Sequence, residues 1–414
     1  QLTDKDMKKI WFAFAALVGL TVTASYAQPV IHVETGKDEA VCVVRNPNAV
    51  ALTDAPVVLK VGNENFKSAV VLDGRKEIPS QFDVLDGGAT RELSFVIDLK
   101  PRQSRTVKIF FSESPADPAR YKYRVNAQMF LKENGKIVPK DAIVGTEDNM
   151  YNKLHHHGPA FESELTAYRI YFDKKQTVDI YGKVVPRIEL PVTMWYPTDR
   201  QLEEKYGDDV LYVGGSVGLG AIKGWDGRKT IHIDPMTRRE ARVLAKGPVR
   251  TVVDMEVENW EYNGKKINVL SRYYLYAGHR DAQVCHRFTG DGAKDMVFAT
   301  GVQKIRKGDV MHTDGRGMVA DWGRDFPVTD TVKYPQQTVG LGIAIPARYV
   351  VKPAEDRVNY LYLVKPDGEG KICYRITFGA EKEEFGYKSA DAFFRYVDAW
   401  KDELPVEVTV KGKK

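Results

Sequence analysis

Cysteine is scarce in this chain, with three in 414 residues. None stands in a C-x-x-C spacing, which excludes a cysteine-held zinc ion or a dithiol redox centre. Three cysteines permit one disulfide at most. Cys285 and Cys373 lie in strand-like apolar runs and Cys42 in a separate segment. Buried free thiols are the expectation, because a core of this size needs no cross-link. Long apolar runs are absent after residue 22, so no later segment is apolar enough to span a membrane. No basic run is interleaved with stacking aromatics, and there is no helical recognition motif, which argues against nucleic acid as a partner. "GGSVGLGAI" (214–222) lacks the lysine and the following helix of a phosphate-binding loop, so nucleotide binding is rejected. No G-x-S-x-G elbow is present, which weighs against an α/β-hydrolase. The formal net charge of +5 is small for this length. It fits a solubilising surface, or a modest basic cleft for acidic sugars.

What is present begins with a leader. Met7-Lys8-Lys9 is a short positive region, Ile10 to Val22 an apolar one, and Ala24-Ser25-Tyr26-Ala27 a small-x-Ala cleavage site before Gln28. Residues 1–27 therefore read as a secretory signal peptide, with 1–6 an upstream over-read of the start. No cysteine follows the cleavage point, so a lipid anchor is not expected. The mature protein is expected to be periplasmic or secreted, with no membrane contact after cleavage. A composition of 43% hydrophobic and 28% charged residues is that of an ordinary globular protein.

Helical periodicity is nearly absent. Short runs rich in Val, Ile, Tyr and Phe recur instead ("APVVLKV", "RTVKIFF", "NVLSRYYLYA", "VNYLYLVKP"), separated by Gly, Asp, Asn and Pro. This predicts an all-β chain of antiparallel sandwiches. Two helices are predicted: one in "PTDRQLEEKYG", capped by Thr198 or Asp199, and one in "SADAFFRYVDAWKDEL", capped by Ser389 with Phe393, Val397 and Trp400 on one face. "SESPADPARYKYR" breaks the strand pattern. It divides a small β-domain at 28–115 from a larger β-sandwich at 116–414.

Three of the eight histidines are consecutive, in "YNKLHHHGPAFESELTAYRIYFDKKQTVDIYGK" (151–183). If "KLHHHG" is extended, His155 and His157 share one face and His156 points to the other. A metal pair, an acid/base or sugar contact and a structural cluster all remain open at this point. In "TAYRIYF", Arg169 and Tyr171 share one face of a strand and Tyr168, Ile170 and Phe172 the other. An arginine fork suits a uronate carboxylate, and a tyrosine can pass a proton to a leaving sugar oxygen. An Arg paired to a nearby carboxylate on a solvated sheet face fits the same pattern. Glu162 and Glu164 fall on the opposite parity, and uniting all four on one strand needs a bulge near Leu165. "VDIYGK" reads as a turn in which Asp179 accepts hydrogen bonds and Gly182 supplies backbone freedom. Trp225 in "GWDG" suits either a sugar platform or the core. His279, Arg280, His286 and Arg287 mark two ends of paired strands.

"HHHGPAFESELTAYRIYFDKKQTVDIYGK", "DDVLYVGGSVGLGAIKGWDG" and "AKGPVRTVV" together resemble the bacterial domain-of-unknown-function 4861 family, through most of the mature chain. The resemblance implies an exported mutarotase-like β-supersandwich encoded among glycan-degradation genes. It implies carbohydrate chemistry, with uronate-containing glycans leading. Only the motif positions Glu162, Arg169, Tyr171, Asp179 and Lys183 carry over. Many members have Asp where this chain has Glu164.

A lyase acting on a uronate-containing saccharide is therefore expected. Arg169 would neutralise the carboxylate, a histidine of His155–His157 would take the C5 proton, and Tyr171 would protonate the leaving oxygen. Glu162 completes the catalytic set; Glu164, Asp179, Lys183, Trp225 and His279 are the expected substrate contacts. The alternatives are a two-carboxylate glycoside hydrolase built on Glu162 with Glu164 or Asp179, a mutarotase or epimerase, and a glycan-binding protein without turnover. No cofactor and no metal is expected, because Arg169 and Lys183 repel a cation. The partner is an acidic saccharide; the oligomeric state is not readable.

Overall fold

The computed structural model describes residues 30–31, 38–146, 150–332 and 334–411. The expected signal peptide, 1–27, lies outside them. Strand patterning sets the architecture. In Ser104–Ser112, every second residue from Val107 to Phe111 is buried, so one face of the strand must meet another apolar face. That face closes a small sandwich. Its five-stranded sheet has the order Glu407–Val410, Glu39–Arg45, Ser104–Ser112, Ser68–Asp73, Lys76–Ile78. Its four-stranded sheet has the order Val30–Ile31, Leu52–Val61, Thr90–Leu99, Ser80–Leu85. Val44, Leu59, Phe95 and Ile109 fill the space between. The chain's last strand thus sits in the sheet of the N-terminal sandwich, although it falls within the segment 116–414.

The larger unit is a β-supersandwich. A nine-stranded antiparallel sheet, with the long strands Arg250–Tyr262 and Lys265–Tyr276 near one side, forms one layer. A five-stranded sheet (Asp208–Asp209, Val178–Gly182, Ala167–Ile170, Ala160–Ser163, Val125–Gln128) and a three-stranded sheet (Phe298–Gln303, Asn359–Val364, Val350–Glu355) supply the other. Phe161, Tyr168, Val253, Val269, Leu341 and Ile376 belong to one continuous core. All-β architecture is as the sequence predicts.

Both predicted helices form. Thr198 and Gln201 make a reciprocal capping box on Asp199–Glu203. The Ser389 side chain caps Ala390–Lys401, which lays Phe393, Val397 and Trp400 against Met318, Ala320 and Trp322 on the outer side of the large sheet. The cysteine expectation fails. Cys285 and Cys373 are directly opposite in adjacent strands and are bonded to each other; Cys42 stays a buried free thiol. Core size argued against a staple, but strand register alone brings the two sulfurs together. No helix among the described residues is long and apolar enough to cross a membrane.

Candidate functional site

The segment from Ala160 to Ile170 is a hairpin rather than one bulged strand. Ala160–Ser163 pairs antiparallel with Ala167–Ile170, which pairs in turn with Val178–Gly182. "VDIYGK" is thus mainly a strand, and the expected turn there is not formed. Gly182 serves close packing instead: a Cβ on it would meet Val210 and Ala380. The parity of Arg169 and Tyr171 holds, with Tyr168, Ile170 and Phe172 buried in the core on the opposite face. The register sets Arg169 directly across from Asp179, a cross-strand pairing of opposite charges.

Around that pair the polar groups are dense. Arg169 donates from Nε and Nη2 to Asp179 Oδ2 (2.9 and 2.6 Å) and from Nη2 to Asp209 Oδ2 (2.8 Å). Nη1 donates to the Tyr196 hydroxyl (3.2 Å). The Tyr171 hydroxyl accepts from Arg169 Nη2 (3.0 Å) and donates to Asp179 Oδ2 (2.9 Å). Trp195 lies under the guanidinium, 4.4 Å from its carbon to the ring centre, and donates Nε1–H to Asp209 at 3.3 Å. A four-residue helix, Leu190–Thr193, followed by Met194 and Trp195 at positive φ, delivers Trp195 and Tyr196 to this spot.

Two carboxylates beside one guanidinium cannot both ionise freely. Burial, then the charge of Asp179, pushes Asp209 up to about 8, against the pull of Arg169. Asp179 is sealed: Oδ2 takes three hydrogen bonds, Oδ1 accepts the Ile180 N–H, and its side chain is 0% exposed. Asp209 retains 14% exposure, and Tyr196 beside it is 47% exposed. Burial drives the Tyr171 hydroxyl well above its ordinary range, so it stays protonated.

The histidines form one short 3-10 turn, with His156 and His157 at φ 41 and 67, so the extended alternation is not realised. A carbonyl only accepts, which settles the tautomers. His155 donates Nε2–H to the Met194 carbonyl, His156 donates Nδ1–H to that of Gly158, and His157 donates Nδ1–H to that of Tyr151. Burial holds all three below the usual imidazole value, His157 at about 4. His157 therefore presents a bare Nε2 lone pair at neutral pH. Its ring stacks on Tyr151 (3.5 Å) and stands edge-on to Tyr171 (6.0 Å) and Tyr196 (6.5 Å). His155 meets Tyr196 edge-on at 5.7 Å. His156 is fully buried against Gln128 and Phe130. Among the described residues no group of three His, Cys, Asp or Glu has metal-holding geometry.

The remaining sequence candidates lie elsewhere. Glu162 and Lys183 form a wholly buried ion pair at 2.6 Å. Glu162 also accepts the N–H groups of Glu189 and Leu190, so it caps the short helix and is closed to substrate. Glu164 binds Arg124 and the Gly278 N–H. His279 binds Asp281 and the Asp54 carbonyl of the small sandwich. His279 thus joins the two sandwiches directly, and Glu164 does so only through Arg124, which also binds Asp54. Trp225 packs by Tyr262 on a short strand pair, with no contact to the histidine turn. His286 is a core residue between Ser271 and Tyr374. Sequence reasoning missed Asp209, Tyr196, Trp195, Tyr151 and Lys175; the Trp-Tyr-Pro run and the paired aspartates at 208–209 were the available signals.

The family model described as "Domain of unknown function (DUF4861)" matches residues 44–410. No curated protein matches the chain. Among solved structures, the chain is similar to a protein in the glycosyl hydrolase family 38 from Enterococcus faecalis, at 10% identity and a TM-score of 0.47, over 92% of this chain and 48% of that one. It is similar also to an alpha-mannosidase from Enterococcus faecalis V583, at 10% identity and a TM-score of 0.43, over 91% of this chain and 46% of that one. The chain thus spans about half the length of either.

Proposed function

The chain belongs to the DUF4861 family, matched over residues 44–410, and we propose that it is a glycan-acting enzyme working by general acid–base catalysis. The observation that carries this reading is Asp209: a surface-reaching carboxyl that keeps its proton to about pH 8, beside an exposed tyrosine. A tyrosine face of this kind suits a sugar ring. Asp209 would give its proton to the leaving glycosidic oxygen. His157 Nε2, neutral and unprotonated, would take a proton from the attacking water. His157 stands edge-on to the Tyr171 and Tyr196 rings, and Asp209 shares Arg169 with both of their hydroxyls.

Hydrolysis with inversion follows from what is closed. Asp179 has no exposure left for a nucleophilic role and its Oδ2 is engaged three times, so it does not carry a covalent intermediate. Arg169 is 4% exposed, with Nε and Nη2 engaged by Asp179, Asp209 and Tyr171 and Nη1 bound to Tyr196, which withdraws the fork that β-elimination needs for a uronate. The lyase expectation therefore yields to hydrolysis. The test is a panel of oligosaccharides assayed for new reducing ends and for unsaturated products. Reducing ends without unsaturation are expected, with a loss of roughly 10²–10⁴-fold in Asp209→Asn, the usual worth of a general acid. Unsaturated product, or full rate in that variant, would sink the reading.

The enclosure of Asp209 by Arg169, Trp195 and the Leu211 N–H favours a second reading, a glycan-binding protein without turnover. Binding with no product after long incubation would select it. An exported location rests on residues 1–27 and is supported by the Cys285–Cys373 bond, which belongs to oxidising compartments. Mass spectrometry of the secreted chain, with an N-terminus at Gln28, checks it.

A further inference from the structure

Arg169 is closed to ligands, but a second cation borders the same aromatic face. Lys175 Nζ lies 5.4 Å from the Tyr171 ring centre and 5.8 Å from that of Tyr151. Its side chain is 27% exposed and stands 3.5 Å from Asp173 Oδ2, and it donates to the Gly214 carbonyl at 3.2 Å. Asp173 is committed elsewhere as well: its Oδ1 accepts the backbone N–H groups of Lys175 and Gln176. Directly behind, the wholly buried Lys223 donates Nζ–H to the Lys175 carbonyl. Burial lowers that ammonium to about 7, with Asp173 opposing and Lys175 adding to the fall. His232 next to it has a buried Nδ1 without a hydrogen-bond partner. One carboxylate therefore serves two lysines, and positive charge is in excess at the edge of the face.

We propose that Lys175, supported from behind by Lys223, is a specificity residue of this face and binds a singly charged oxyanion carried on the saccharide, a carboxylate or a sulfate ester. The proposal rests on the reading of the face as a glycan site. The ammonium has donors to spare, it is held over the Tyr151 and Tyr171 rings, and its outer side is open to solvent. A sugar seated on Tyr196 and Tyr151 would bring a ring substituent to it. A charge-assisted hydrogen bond between such groups is among the stronger polar contacts.

The test is calorimetry with four oligosaccharides of one length: a uronate, its methyl ester, a sulfated sugar and a neutral sugar. The wild-type chain should bind the uronate or the sulfated sugar about 10- to 100-fold tighter than the ester and the neutral sugar, the range of a hydrogen bond to a charged group. The tighter of the two anions identifies the source. Lys175→Gln should bring all four within about threefold, and Lys175→Arg should restore the preference. Equal binding of acid and ester by the wild type, or a preference that survives Lys175→Gln, overturns the proposal, as does failure of all four to bind. A preference for the anion with no product formed leaves the subsite standing and removes only the hydrolase reading. Hydrolysis of all four at equal affinity removes only the subsite.

Discussion

Two buried arginines in this molecule each hold two carboxylates, and they do different things. Arg250 stands at the joint between the sandwiches. Its Nε donates to Asp83 at 2.8 Å and its Nη2 to Glu92 at 2.8 Å, so each carboxylate has its own nitrogen. Gln81 adds a clamp by accepting the N–H groups of Val249 and Arg250. At Arg169 one nitrogen, Nη2, serves Asp179, Asp209 and Tyr171 together. Burial first, and then the charge of Asp179 crowded onto the same donor, leave the second acid undercompensated, and Asp209 keeps its proton near neutrality. The distribution of donors, rather than the composition of the cluster, separates a weld from a poised acid.

Breaking the weld gives the largest expected change. Arg250→Met strands two buried carboxylates at the joint, and removal of one partner from such an assembly costs about 3–5 kcal/mol. Denaturant unfolding should show that loss. A cost under about 1 kcal/mol would mean that the joint is not held by its charges, and the contrast with Arg169 would lapse.

Next comes the cross-link within the large sheet. Cys285→Ser with Cys373→Ser opens a link across 88 residues of sequence, and a cost of about 2–4 kcal/mol is expected. Reductant should reproduce it in the wild-type chain and leave the variant unmoved. Site chemistry should survive in both, since neither cysteine touches the Arg169 cluster.

How much of this was legible before the fold? The alternation in Ser104–Ser112 and the caps at Thr198 and Ser389 are local, and they appear where one-dimensional reasoning puts them. Arg169 with Tyr171 is also local, a parity of two. Their decisive partner is not. Asp209 reaches Arg169 through strand pairing across 40 positions, and Tyr196 through a left-handed turn, neither of which leaves a period in the sequence. The same physics removes Glu162 and Lys183 from the site: the motif makes them a catalytic residue and a substrate contact, yet their charges are spent on each other inside the fold. The alternation of the histidines holds only for an extended backbone, and two consecutive residues, His156 and His157, take positive φ instead.

The poised acid sharpens the comparison through pH. Because the folded value of Asp209 is raised, to about 8, the folded state binds that proton more tightly than the unfolded chain. Its contribution therefore falls as pH rises from the ordinary carboxylate range through 8. Asp209→Asn should remove that slope, so that wild type and variant diverge above pH 5 with the variant the more stable at pH 8. Thermal unfolding across that range reads it. Parallel profiles would show that Asp209 ionises freely and that the two arginine assemblies are alike.

The smallest expected effect belongs to the joint again, at His279. Burial opposes its charge, but the hydrogen bond and charge of Asp281 and the Asp54 carbonyl outweigh it and hold the ring at about 9. A base with a raised folded value stabilises fully below its unfolded value, and the benefit is lost as pH rises through the folded one. The stabilisation is thus present below pH 6.5 and disappears between there and about 9. It should be worth on the order of 1 kcal/mol once solvent screening at this partly exposed site is allowed for. His279→Gln keeps a donor to the Asp54 carbonyl but carries no charge, so its stability should be flat over that window while the wild type declines. The descent runs the same way as that of Asp209, so the double variant with Asp209→Asn is the discriminating sample. Two independent groups give additive flattening; a double variant no flatter than Asp209→Asn alone would place the whole slope in the site and none in the joint.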